Sequence, residues 1–117
     1  MGKNNPVSVY FREGRYSRSI KLLDDLGKEP KRILDVGCGE GHFLKVLSKK
    51  FPSAELEGCE IDYAEGKRAE SAVPGSKVSI GDFLKMEASP YDLIVALEVV
   101  EHSKHAGGFV GKLSSLL

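Results

Sequence analysis

The chain has 117 residues, of which 41% are hydrophobic and 29% charged, which suits one small globular domain and excludes disordered and fibrous classes. Its 17 basic and 17 acidic residues cancel, so no general basic field is present to grip nucleic acid, and nucleic acid is not favoured as a partner. No apolar run reaches the roughly 20 residues of a membrane helix, the start lacks a secretory h-region, and Cys38 and Cys59 are too few for a disulfide scaffold or zinc site, so a cytoplasmic location is expected.

Residues 1–16 are polar and turn-rich, with Tyr10, Phe11 and Tyr16 scattered among them, and read as a flexible N-terminal arm. A domain is expected over 17–117. From Ser17 to Leu26, the apolar residues Ile20, Leu22, Leu23 and Leu26 fall at helical spacing, with Gly27 ending the run. Pro30 forces extended backbone ahead of Lys31–Val36, where Ile33, Leu34 and Val36 suit a buried strand. A glycine cluster follows, then a helical face of Phe43, Leu44, Val46, Leu47 and Phe51, stopped by Pro52. A second strand is predicted over Glu55–Ile61, a short helix over Tyr63–Ala69, and a third strand over Lys77–Ile80. Pro90 precedes the most apolar stretch, Tyr91–Leu97, the fourth strand. The tail from Lys104 to Leu117 again carries a helical apolar side. Strands alternating with helices predict an α/β fold, a Rossmann-like parallel sheet with flanking helices, truncated after the fourth strand and following helix.

The segment Ile33-Leu34-Asp35-Val36-Gly37-Cys38-Gly39-Glu40-Gly41-His42-Phe43-Leu44 runs a strand into a G-x-G-x-G turn and directly into a helix. Glycines there let the backbone turn sharply and admit a ligand closely, while the helix start offers unpaired N–H groups. Dinucleotide sites space their glycines as G-x-G-x-x-G around a pyrophosphate. Here the third glycine comes one residue early, and Asp35 precedes the first by two. A carboxylate at that place repels a diphosphate and suits a cationic or hydroxyl-rich ligand. Glu60 closes the second strand at the separation where an acid meets ribose hydroxyls. Asp62 competes for that role, or caps the helix that follows. Gly81-Asp82-Phe83 ends the third strand with an acceptor for an exocyclic amine and a ring for a base, although Gly-Asp is also a plain turn. Acids and glycines at the carboxyl ends of successive strands describe a nucleoside site without phosphate.

On these motifs the sequence resembles the class I S-adenosylmethionine-dependent methyltransferases over residues 17–117: LDVGCGEG looks like their first motif, GCEID their second-strand acid, IGDF their third-strand motif and YDLIVALEVVEH their fourth strand. The resemblance implies S-adenosylmethionine as cofactor. Gly37, Gly39 and Gly41 would wrap its methionine part, with Asp35 helping to hold the amino group. Glu60 would bind ribose, Ile61 would pack on adenine, Asp82 with Phe83 would read the adenine edge, and Leu97 would complete the cofactor-binding set. Methyl transfer to a small-molecule acceptor, on oxygen, is the implied activity.

Leu97-Glu98-Val99-Val100-Glu101-His102 is the second place where chemistry is expected. In a helical turn Glu98, Glu101 and His102 share one face. They would hold a divalent metal such as magnesium, or His102 would act as the catalytic base on a hydroxyl acceptor. E-V-V-E-H resembles the E-x-x-E-H signature of ubiquinone-pathway and small-RNA O-methyltransferases. The alternative is a carboxylate solvated at a helix start and a histidine that only shapes the pocket.

Four strands and a helix make the apolar Tyr91–Leu97 strand an edge of the sheet, and an exposed apolar edge invites pairing with a second chain or self-association. Against a methyltransferase stand a non-enzymatic cofactor-binding fragment or partner subunit of a split enzyme, and a plain dinucleotide module. The glycine spacing and Asp35 disfavour the last.

Overall fold

The computed structural model describes residues 7–11, 21, 23–24, 29–86, 90–97, 112 and 115–116. Five strands, β1 (Val7–Phe11), β2 (Arg32–Val36), β3 (Glu55–Glu60), β4 (Lys77–Ile80) and β5 (Leu93–Leu97), form one parallel sheet in the order β1-β5-β2-β3-β4. Two helices, α1 (His42–Lys50) and α2 (Tyr63–Ala72), and a 3-10 turn over Phe83–Lys85 lie between successive strands from β2 to β5.

Parallel strands are covered on both faces and therefore read as continuous apolar runs. In β2 alternate side chains go to opposite cores. Ile33 joins Phe43, Leu44 and Leu47 of α1 on one face, with Leu23, Val73, Leu93 and Val95. Leu34 and Val36 join Tyr91, Ile94, Ala96, Phe83 and Leu116 on the other. Lys21, Leu23 and Asp24 are helical, within the helix expected over Ser17–Leu26. Lys112, Ser115 and Leu116 are helical too, and the Leu116 carbonyl accepts the Tyr91 N–H at 2.8 Å.

Three expectations need adjustment. The second strand stops at Glu60, which leaves Ile61 outside it, and α2 runs on to Ala72. The larger correction concerns the N-terminal arm, because residues 7–11 are a strand. β1 pairs in parallel with β5, from Val7 opposite Leu93 to Phe11 opposite Leu97. The fourth predicted strand is therefore not an edge but lies between β1 and β2. The reason is that VSVYF holds two β-branched and two aromatic residues, which favour a strand wherever an apolar neighbour offers backbone partners.

The sheet order sets where a ligand can go. From β2 the chain steps to β3 and β4 on one side, whereas β5 lies on the other side of β2. Such a reversal opens a crevice at the carboxyl ends of the strands, and β2 ends at that crevice with Asp35 and the glycine loop.

Candidate functional site

The glycine loop is built by backbone that only glycine takes readily. Gly37, Gly39 and Gly41 have φ of 71°, 56° and 93°. The Gly37 and Cys38 N–H groups donate to the Cys59 carbonyl at 2.8 and 3.0 Å, and Gly41 N–H donates to the Cys38 carbonyl at 3.0 Å. At Gly41 a Cβ would stand 3.1 Å from Ala69 Cα, so loop and α2 touch backbone to backbone. At Gly39 a Cβ would meet nothing within 4 Å, so that part of the loop faces open space. Gly41 is also the N-cap of α1 and supplies no side-chain cap, and the first turn holds no acid. Among the described residues the chain thus supplies no side-chain acceptor of its own at this helix start.

Asp35 is 2% exposed, and its Oδ2 has no hydrogen-bond partner among the described residues. Burial, reinforced by the neighbouring Glu60 carboxylate, pushes its carboxyl up to about 8. Glu60 is as well connected as Asp35 is not. Its Oε1 accepts the Gly39 N–H at 2.8 Å and its Oε2 accepts the Asp62 N–H at 2.9 Å. Asp62 takes the capping alternative: its Oδ2 accepts the Glu65 N–H at 2.8 Å at the start of α2.

Apolar surface flanks these acids. Ile61 is 74% exposed beside Glu60, Tyr63 opens α2 exposed, and Leu84 stands half-exposed after Asp82. Asp82 caps the 3-10 turn, its Oδ1 accepting the Leu84 N–H at 2.9 Å. Phe83 is buried in the core, where it lines a pocket of about 340 Å³ with Cys59, Ser79, Gly81, Asp82 and Met86. Cys38 and Cys59 are buried free thiols, both pushed up to about 12 chiefly by burial, so they are inert fillers.

The structure thus brings Asp35, Gly37, Gly39, Gly41, Glu60 and Ile61 to one end of the sheet, with Asp82 at the end of β4. Leu97 ends β5 at the same level. Glu98, Glu101 and His102 lie outside the described residues, and among the described residues no group of three or more metal-ligating side chains occurs. Sequence reasoning missed Tyr63 and Leu84 as exposed apolar groups. Their signal was position, each within two residues after a capping aspartate that follows a strand, Asp62 after β3 and Asp82 after β4. No helix among the described residues is long and apolar enough to cross a membrane.

Comparison with known proteins agrees with this geometry. A family model described as a methyltransferase domain matches residues 9–117. The malonyl-[acyl-carrier protein] O-methyltransferase of Halalkalibacterium halodurans is 33% identical over 112 residues, covering 86% of this chain and 41% of its own. The (S)-tetrahydroprotoberberine N-methyltransferase of Eschscholzia californica is 27% identical over 94 residues, covering 75% of this chain and 27% of its own. Among solved structures, the S-adenosylmethionine-bound amino pentose methyltransferase CalS10 of Micromonospora echinaspora superposes with a TM-score of 0.74 at 26% identity, over 86% of this chain and 45% of its own. The chain spans less than half the length of these relatives. With the parallel sheet, the glycine loop and the strand-end acids in place, the matched residues 9–117 make this chain a member of the methyltransferase-domain family.

Proposed function

We propose that the chain binds S-adenosylmethionine and serves methyl transfer to a small-molecule acceptor, through oxygen. The observation that carries this reading is the buried Asp35 carboxylate oxygen left without a partner beside the glycine loop. An orphaned buried acceptor costs about 1–3 kcal/mol, and a ligand ammonium group would satisfy it. The open side of Gly39, the uncapped start of α1 and the exposed Ile61 fit the same ligand.

Bound S-adenosylmethionine supplies an electrophilic methyl group on a sulfonium. The chain's own residues supply binding and alignment, which is most of the work in a direct transfer. Asp35 would hold the ammonium, while Gly37, Gly39 and Gly41 would follow the methionine part. Glu60 would accept the ribose hydroxyls, Ile61 would cover adenine, Asp82 with Phe83 would read the adenine edge, and Leu97 would complete the cofactor-binding set. His102 would take the proton of a hydroxyl acceptor. Should Glu98, Glu101 and His102 hold magnesium instead, the metal would polarise that hydroxyl. An oxygen acceptor is favoured because the O-methyltransferase of Halalkalibacterium halodurans matches at 33% identity over 86% of the chain, against 27% over 75% for the N-methyltransferase of Eschscholzia californica.

The second reading is a cofactor-binding fragment or partner subunit without turnover of its own. The chain's coverage of less than half of its relatives favours it. Calorimetric titration with S-adenosylhomocysteine, on the parent and on Asp35→Ala, tests the binding common to both readings. Micromolar binding lost in the variant is the expected result, and no binding by a folded parent sinks both. Transfer of labelled methyl to hydroxyl and amine acceptor panels, with and without magnesium, then separates them. Light scattering on the same sample reports whether a second copy is recruited.

A further inference from the structure

We propose that Glu60 is the positioning residue of the glycine loop, its carboxylate holding Gly39 and Asp62 by their N–H groups so that the loop has its ligand-receiving shape before a ligand arrives. This goes beyond a ribose contact, and its ligand arm rests on the cofactor reading above. The loop's N–H groups show why a side chain is needed. Those of Gly37, Cys38 and Gly41 are taken by carbonyls of Cys59 and Cys38. Gly39, at the left-handed apex with open space beside it, is held by Glu60 Oε1. The other oxygen accepts from Asp62, the N-cap of α2, so one 8%-exposed carboxylate ties β3, the loop and the helix start together.

A carboxylate is required because both contacts are N–H donors meeting two different oxygens. Glutamine has one acceptor oxygen and would turn an NH₂ donor against the second N–H. Each carboxylate oxygen keeps a further lone pair, so ribose hydroxyls can bind without displacing the clamp. The consequence is coupling: removing Glu60's charge weakens ligand parts that never touch it, because they are held by the loop.

Amide hydrogen exchange on the ligand-free chain reads the clamp directly. In the parent the Gly39 and Asp62 amides are expected to exchange at least about ten-fold below their intrinsic rates, and in Glu60→Gln at least one of the two to approach its intrinsic rate while the β2 amides stay protected, since a charge-assisted bond carries about one to two decades. The ligand arm compares S-adenosylhomocysteine with its 2′,3′-dideoxy analogue, which has no ribose hydroxyls to offer. The expected result is that Glu60→Gln weakens the dideoxy analogue too, by about ten-fold. An analogue that binds parent and variant equally overturns the clamp and leaves a ribose contact alone. A Gly39 amide exchanging at its intrinsic rate in the parent overturns it even if the variant fails to fold. Failure of the parent to bind either ligand would instead count against the cofactor reading, and the exchange result would still decide the clamp.

Discussion

The two ends of the sheet treat charge in opposite ways. At the amino end Arg32 pairs with Glu57, faces Glu55 at 3.3 Å, donates to the Pro90 carbonyl at 3.2 Å and lies 4.7 Å over the Tyr91 ring. Tyr91 in turn donates to Glu57 at 2.9 Å, and Asp92 accepts the Lys31 and Arg32 N–H groups at 2.8 and 2.9 Å. Cation, carboxylate and phenol are brought together there as β2, β3 and β5 begin. At the carboxyl end two carboxylates, Asp35 and Glu60, sit close enough to repel, and among the described residues Asp35 Oδ2 has no hydrogen bond and no cation beside it, whereas Arg32 Nε, also without a hydrogen bond, has the Glu55 carboxylate at 3.3 Å. An end that only has to hold the fold neutralises its charges internally. The carboxyl end instead keeps a buried acid that no internal cation neutralises, and burial holds its proton on up to about 8.

Breaking the carboxyl end should give the largest effect. Asp35→Asn is expected to weaken S-adenosylhomocysteine binding by at least about 100-fold, since it removes a buried charge from its counter-ion. The same variant should be more stable than the parent at pH 8. The folded chain keeps the Asp35 proton up to about 8, whereas an unfolded aspartate loses it near about 4, so the parent's stability falls as pH rises through that window. Thermal melts should show Asp35→Asn ahead by more than about 5 °C at pH 8 and level with the parent near pH 4. A variant that melts below the parent at pH 8 would show that the lone carboxylate is no burden.

Proton linkage sharpens the same contrast without mutation. If the ligand ammonium ionises Asp35, binding releases a proton, and affinity should rise about ten-fold per pH unit from 6 to 7 and level off above 8. Calorimetry in buffers of different ionisation enthalpy would count the proton, and a flat profile would contradict the assignment of Asp35 to the ammonium.

Breaking the amino end should act on stability alone. Arg32→Met leaves the half-buried Glu57 with only Tyr91, and is expected to cost about 2 kcal/mol in denaturant unfolding while binding changes by less than about twofold. A large binding loss would mean that the two ends are coupled through β2. The smallest effect is expected from Asp62→Ala, about 1 kcal/mol from the lost cap. It keeps the N–H that Glu60 holds, so the glycine loop should remain protected.

Much of this was legible in the linear order of residues. Ile33, Leu34 and Val36 announced a strand buried on both faces, Pro30 and Pro52 bounded the first strand–loop–helix unit, and the three glycines marked the turn. Asp62 could be weighed as a cap because it directly precedes a helical run. What failed was the edge of the sheet. VSVYF lies in a polar, turn-rich stretch, and pairing with β5 joins residues more than eighty positions apart, a contact that no local pattern reports. Glu60's role at Gly39 was hidden for the same reason, since only the loop's return over β3 brings the two within 2.8 Å.

The order of residues by itself determined the alternation of strands and helices, the glycine turn and the presence of an acid at the end of each of three strands. Local sterics and hydrophobic period settle such features within a few residues. Only the tertiary structure decided which strand covers β5, which acid is bonded and which is orphaned, and that Asp62 caps while Glu60 reaches the loop. Those outcomes depend on which backbone groups meet across the sheet, and burial converts that geometry into the raised proton affinity of Asp35.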